Sequence, residues 1–234
     1  MSARAVVIDV GIGNLGNVAR ALGAVGAEVE VTREPDAVAR ARCLVLPGVG
    51  AFAAAREGVA GELEAALRGA LAEGAWLLGL CVGYQLLFEA SEEDGPTEGL
   101  GLLPGRVTRL PEGVPWPQIG WNRLHGVARA DDDGASQPAH VLDGVGEGAW
   151  VYFVHGYAPE GVPEEVVLAR ATHGRTFPAV AGLGRVMGTQ FHPERSGAVG
   201  LGLLANFVTM AHGESRGAGD RAAVPVTEAG EGFR

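Results

Sequence analysis

Residues 76–88 read Trp76-Leu77-Leu78-Gly79-Leu80-Cys81-Val82-Gly83-Tyr84-Gln85-Leu86-Leu87-Phe88. Trp76–Leu80 is an apolar run of strand length, and Val82–Glu89 has the character of a helix. Between them, Gly79-Leu80-Cys81-Val82-Gly83 spells Gly-x-Cys-x-Gly, a cysteine version of the nucleophile elbow. Such a turn needs small residues on each side of the nucleophile because it is strained and its neighbours crowd one another. The following helix N-terminus favours the thiolate, which is the reactive species. The Val82 N–H would face a developing oxyanion. The competing reading is an inert thiol buried between apolar neighbours. That second reading is the one given to Cys43, inside Cys43-Leu44-Val45-Leu46.

Upstream, strand-like and helix-like segments alternate. Strands are expected at Ala5–Val10, Glu28–Thr32 and Cys43–Leu46, with helices at Asn14–Ala27, Pro35–Arg42 and Glu57–Glu73. Alternation of this kind predicts a parallel sheet covered on both faces. Downstream of about residue 100 the runs are short and strand-like: Arg106–Leu110, Trp121–Val127, Ala149–His155, Glu165–Ala171 and Val186–Phe191. Gly200–Met210 reads as a closing helix. The expected fold is α/β, a doubly wound, mostly parallel, flavodoxin-like sheet with helices on both faces and a more β-rich second half. Residues 1–212 form one domain in this reading, and 213–234 are expected to be a disordered tail.

Composition removes several functions. The chain has 234 residues, and its 18 basic residues are all arginine. Without lysine there is no phosphate-loop lysine, Schiff base or Ser-Lys dyad. A net charge of −10 and no basic cluster argue against nucleic acid. Two cysteines make neither a disulfide framework nor a four-cysteine zinc site. No leader or membrane-length apolar run is visible, so a cytoplasmic protein that does not engage membranes is expected. No metal or other cofactor is expected; the Asp131–Asp133 run reads as a solvated loop.

Three further motifs carry chemistry. Gly11-Ile12-Gly13-Asn14-Leu15-Gly16 fits Gly-x-Gly-x-x-Gly after a strand. It reads as a dinucleotide fingerprint, with Glu34 as the ribose acid, or as a tight turn. Pro47-Gly48-Val49-Gly50 ends the third strand beside Cys81 and offers a second oxyanion donor. In Gln190-Phe191-His192-Pro193-Glu194, proline holds His192 extended, so His192 and Glu194 share a side and form a base with its orienter. His155 is the competing base, and its apolar surroundings favour a place in a substrate wall.

Together these motifs resemble the class I, triad-type glutamine amidotransferases. The likeness runs from Asp9 to Ser196 and includes Gly120-Trp121-Asn122 and Tyr152-Phe153-Val154-His155. Pro-Gly-Val-Gly and Gly-Trp-Asn are similar to the HisH family of glutaminase subunits of imidazole glycerol phosphate synthase. The resemblance implies that Cys81 attacks L-glutamine, with His192 and Glu194 completing the triad. It implies oxyanion donors at Val82 and the Val49/Gly50 loop, and glutamine contacts at Gln85 and the Val154–Gly156 segment. It also implies a heterodimer with a TIM-barrel cyclase, HisF-like, that receives the ammonia. Asn14, Trp121 and Arg195 would lie at that interface, which would make the Gly11–Gly16 turn partner-facing.

Three positions depart from the family pattern. Val10 replaces a tyrosine, Arg195 replaces a lysine with altered geometry, and Gly156 removes a serine or threonine hydroxyl. Restoring it with Gly156→Ser is expected to leave the glutamine KM unchanged. The rivals are the glutaminase of another synthase, such as pyridoxal phosphate synthase, a nucleotide-binding module using Gly11–Gly16, and a regulatory subunit with a vestigial site.

Overall fold

The strand that carries Cys81 lies at the middle of a seven-stranded sheet. The computed structural model describes residues 3–129 and 137–213. In chain order the elements are β1 (Ala3–Ile8), α1 (Leu15–Ala24), β2 (Ala27–Thr32), α2 (Pro35–Ala39), β3 (Cys43–Gly48), α3 (Phe52–Val59), α4 (Glu62–Ala72), β4 (Trp76–Cys81) and α5 (Val82–Gln85). There follow β5 (Ala90–Ser91), β6 (Thr97–Glu98), β7 (Arg106–Arg109), β8 (Gln118–Arg123), β9 (Trp150–His155), β10 (Tyr157–Glu160), β11 (Val167–His173), β12 (Arg175–Leu183), β13 (Val186–Thr189) and α6 (Gly197–Ala211).

The main sheet has the order β11-β12-β13-β4-β3-β1-β2. The run from β13 to β2 is parallel, and β12 and β11 add an antiparallel edge. Both faces are covered, which is why the central strands read as unbroken apolar runs. Alternate residues serve opposite cores. Val7, Val45 and Leu78 pack with α1 and α6, whereas Ile8, Leu44 and Leu77 pack with α3 and α4. Cys43 is fully buried, and burial pushes its thiol up to about 12, consistent with an inert cysteine. Beyond the main sheet lie a β10-β7-β5-β6 sheet and the β8-β9 pair. The second half is thus β-rich, as expected.

Several boundaries differ from the expectations. The single helix at Glu57–Glu73 is instead two, α3 and α4, broken where Gly61 takes φ +74. Only Val82–Gln85 of the expected Val82–Glu89 helix is helical. The carbonyls of Leu86, Leu87 and Phe88 accept from Leu100–Leu103 instead, which ends the helix early. Strands β5, β6, β10 and β12 were not expected; β12 contains Pro178 and buries both of its faces, so it shows no alternation. The Asp131–Asp133 run and residues 214–234 lie outside the described residues. No helix among the described residues is long and apolar enough to cross a membrane. No cluster of metal-ligating side chains occurs among them either.

Candidate active site

At the end of β4, Cys81 has φ 53 and ψ −107. A non-glycine residue held there stores about 1–3 kcal/mol of backbone strain. The flanking glycines are dictated by contact. A Cβ on Gly83 would lie 1.8 Å from Leu46 O, and one on Gly79 would lie 2.7 Å from the Gly83 carbonyl oxygen. The crowded turn expected from Gly-x-Cys-x-Gly is therefore present. It presents the sulfur at the carboxyl edge of the parallel strands, where such sheets place their sites.

Neighbouring strands deliver the other groups to that edge. Gly48, at the end of β3, is the cross-strand partner of Cys81, so the Val49-Gly50 loop begins beside the nucleophile. Beyond β13, His192 has extended backbone, and its Nδ1 lies 2.8 Å from Glu194 Oε1. Glu194 reaches it from a single 3-10 turn over Pro193–Arg195 rather than from the extended chain that the sequence suggested. The pair is almost sealed, with side-chain exposures of 7% and 2%. Burial alone would lower the His192 pKa. The adjacent Cys81 sulfur and the Glu194 carboxylate outweigh it and raise His192 from 6.5 to about 10. The His192 Nε2 is buried with no hydrogen-bond partner among the described residues.

Val49, Gly50, Cys81, Val82, Gln85, His155, Gly156 and His192 line a common cavity of about 130 Å³. The Cys81 thiol donates to Val154 O at 3.7 Å. The amide of buried Gln85 donates to Tyr157 O at 2.9 Å and to Gln190 Oε1 at 3.2 Å. His155 takes a wall position. Its Nδ1–H donates to Tyr157 O at 2.8 Å, and burial lowers its pKa to about 3, so it stays neutral. Gly156 is tighter than its sequence implied. Any Cβ there would stand 2.8 Å from the indole of Trp116, a reason against a silent Gly156→Ser.

Two residues at the site were not singled out in the sequence. Gln190 Nε2 approaches Cys81 Sγ at 3.9 Å. It lies two residues before His192, so extended-chain spacing was the available signal. Glu93 lines the cavity and accepts the Phe52 N–H at 2.7 Å; burial raises its pKa. Its contact spans 41 residues of sequence, and no local pattern announces it.

Asn14, Trp121 and Arg195 lie outside the cavity. Asn14 caps α1, its side chain accepting the Asn17 N–H. Trp121 and Arg195 converge on Tyr152. The indole packs edge-on with ring centroids 5.9 Å apart, and the guanidinium lies 4.2 Å from the Tyr152 ring centroid. Trp121, Ile119 and Trp150 on this β8-β9 pair are 54%, 64% and 49% exposed, a large apolar surface for a protein to leave uncovered.

A family model described as glutamine amidotransferase class-I matches residues 6–211. The chain is 48% identical over 210 residues to the imidazole glycerol phosphate synthase subunit HisH of Symbiobacterium thermophilum, covering 89% of this chain and 94% of that one. It is 46% identical to the HisH of Geobacillus kaustophilus, covering 90% and 99%. A solved glutamine amidotransferase superposes with a TM-score of 0.66 at 22% identity, covering 90% and 99%, a likeness of fold.

Proposed function

Because the chain belongs to the class-I glutamine amidotransferase family, with HisH subunits among its relatives, we propose that it is the glutaminase subunit of an imidazole glycerol phosphate synthase. One observation carries the chemistry: the strained Cys81, the His192–Glu194 pair and the Val49-Gly50 loop meet around one cavity. In this reading the Cys81 sulfur attacks the side-chain amide carbon of glutamine, and the carbonyl π pair moves onto oxygen. The N–H groups of Val82 and the Val49-Gly50 loop hold that oxyanion. His192, kept protonated beside the sulfur, gives its proton to the leaving nitrogen, and ammonia departs as the thioester forms. The resulting neutral imidazole takes a proton from water, whose oxygen attacks the thioester. Glutamate leaves and Cys81 is regenerated. Glu194 fixes the imidazole ring through Nδ1 and steadies its positive charge. Gln85 and the Val154–Tyr157 wall hold the glutamine, and the Glu93 carboxylate sits where a substrate ammonium group can pair with it.

The partner in this reading is a TIM-barrel cyclase, HisF-like, docked on the face bearing Asn14, Trp121 and Arg195 in the cytoplasm. Exposed Ile119 and Trp150 extend that face. The ammonia passes to the cyclase rather than to solvent. Family membership removes the reason to read Gly11–Gly16 as a dinucleotide site.

The test is glutamate release from glutamine by the chain alone and with its cyclase plus the cyclase's nucleotide ligand. Release stimulated by the partner and lost in Cys81→Ser is expected. Release indifferent to the cyclase would assign the chain to another synthase, and none dependent on Cys81 would leave a vestigial site.

A further inference from the structure

The space beside Gly156 is filled by the indole of Trp116. A Cβ on Gly156 would lie 2.8 Å from Trp116 Cε2 and Cζ2 and 2.9 Å from Nε1. Its φ lies outside the left-handed region, so close approach, not backbone handedness, requires glycine here. The indole N–H donates to Gly156 O at 2.9 Å, and the Leu110 N–H donates to the same oxygen at 3.0 Å. The ring is held in turn: the Arg109 guanidinium lies 4.4 Å from its centroid, and the Tyr157 ring meets it edge-on at 6.3 Å.

We propose that Trp116 is a positioning residue for the glutamine pocket, locking the wall around Gly156 through its ring face and its N–H. The proposal rests on the reading of this cavity as a glutamine site. Gly156 sits between His155 and Tyr157, which both line the cavity. Tyr157 O receives both the Gln85 amide and His155 Nδ1–H, so a shift of this turn moves two pocket side chains. A glycine at such a point is free to move unless something outside restrains it. Trp116 is 46% exposed and does not line the cavity, so it acts on substrate through the wall. The indole that fills the space beside Gly156 is brought from 40 residues away in the sequence.

The experiment compares Trp116→Ala, Trp116→Phe, Gly156→Ser and the double variant Trp116→Ala/Gly156→Ser, each assayed for glutamate release with the cyclase. Trp116→Ala is expected to raise the glutamine KM about three- to tenfold, with kcat within about twofold, the scale of one lost hydrogen bond and its packing. Trp116→Phe keeps a ring and loses the donor, and falls between. Gly156→Ser raises KM as well, and adding it to Trp116→Ala brings no further rise, since the ring it collides with is gone. Calorimetric titration of glutamine onto Cys81→Ser chains carrying these changes gives the same ranking. Unchanged KM and affinity in both Trp116 variants, or penalties that multiply in the double variant, would overturn the proposal. Silent Trp116 variants on an active chain bring down this inference alone. A parent chain without Cys81-dependent release brings down the glutaminase reading and this inference with it.

Discussion

The backbone N–H of His192 donates to the carbonyl of Tyr152 at 2.9 Å, tying the candidate base to the strand that carries the exposed aromatic face. Ser196 closes the loop. Its hydroxyl donates to His192 O at 2.7 Å and accepts the Tyr152 N–H at 3.0 Å, and it is buried. One side of Tyr152 therefore meets Trp121 and Arg195, while its backbone holds the segment bearing His192.

Ser196→Ala removes both hydroxyl contacts without adding bulk. It should lower kcat about tenfold through misplacement of His192 and leave the glutamine KM near its parent value. Steady-state kinetics with the cyclase checks this. A change confined to KM would mean that Ser196 does not position the base.

The two site histidines predict opposite pH responses. His192 has a folded pKa of about 10 against an ordinary 6.5. Its stabilising contribution is complete below about 6.5 and is lost as pH rises toward 10. His155 is lowered to about 3 chiefly by burial, so the unfolded chain gains a proton that the folded chain refuses. Its contribution erodes stability as pH falls from 6.5 toward 3. Melting curves across pH should show His192→Asn flattening the alkaline limb and His155→Gln the acid limb. Parallel curves for variant and parent would contradict both assignments.

Much of this site was legible in sequence because its geometry is local. The elbow needs Gly79 and Gly83 within two residues of Cys81, and His192 and Glu194 are two apart. The doubly covered sheet was legible for a similar reason: Val45 and Leu44 must both be apolar when they serve opposite cores. What escaped reading is non-local. Glu93 reaches Phe52, and Trp116 reaches Gly156, across 41 and 40 residues. The break at Gly61 was hidden because Val59, Leu63 and Leu67 keep a four-residue spacing across a residue whose φ stops the helix.

Glu93 supplies a prediction that follows from its place in the cavity. Glu93→Gln still accepts the Phe52 N–H but carries no charge for a substrate ammonium group. The glutamine KM should rise about tenfold, equivalent to ~1.4 kcal/mol, with a smaller effect on kcat. Equal fractional losses in KM and kcat would instead place Glu93 in support of the oxyanion loop.

The most direct test of the account follows the nitrogen. Glutamine labelled with 15N in its side-chain amide is supplied to the chain together with its cyclase and the cyclase's nucleotide substrate, in the presence of excess unlabelled ammonium. 15N is expected in the imidazole glycerol phosphate formed, little diluted by the ammonium and absent with Cys81→Ser. Label equal to that of the bulk ammonium pool, or label that persists without Cys81, would contradict it.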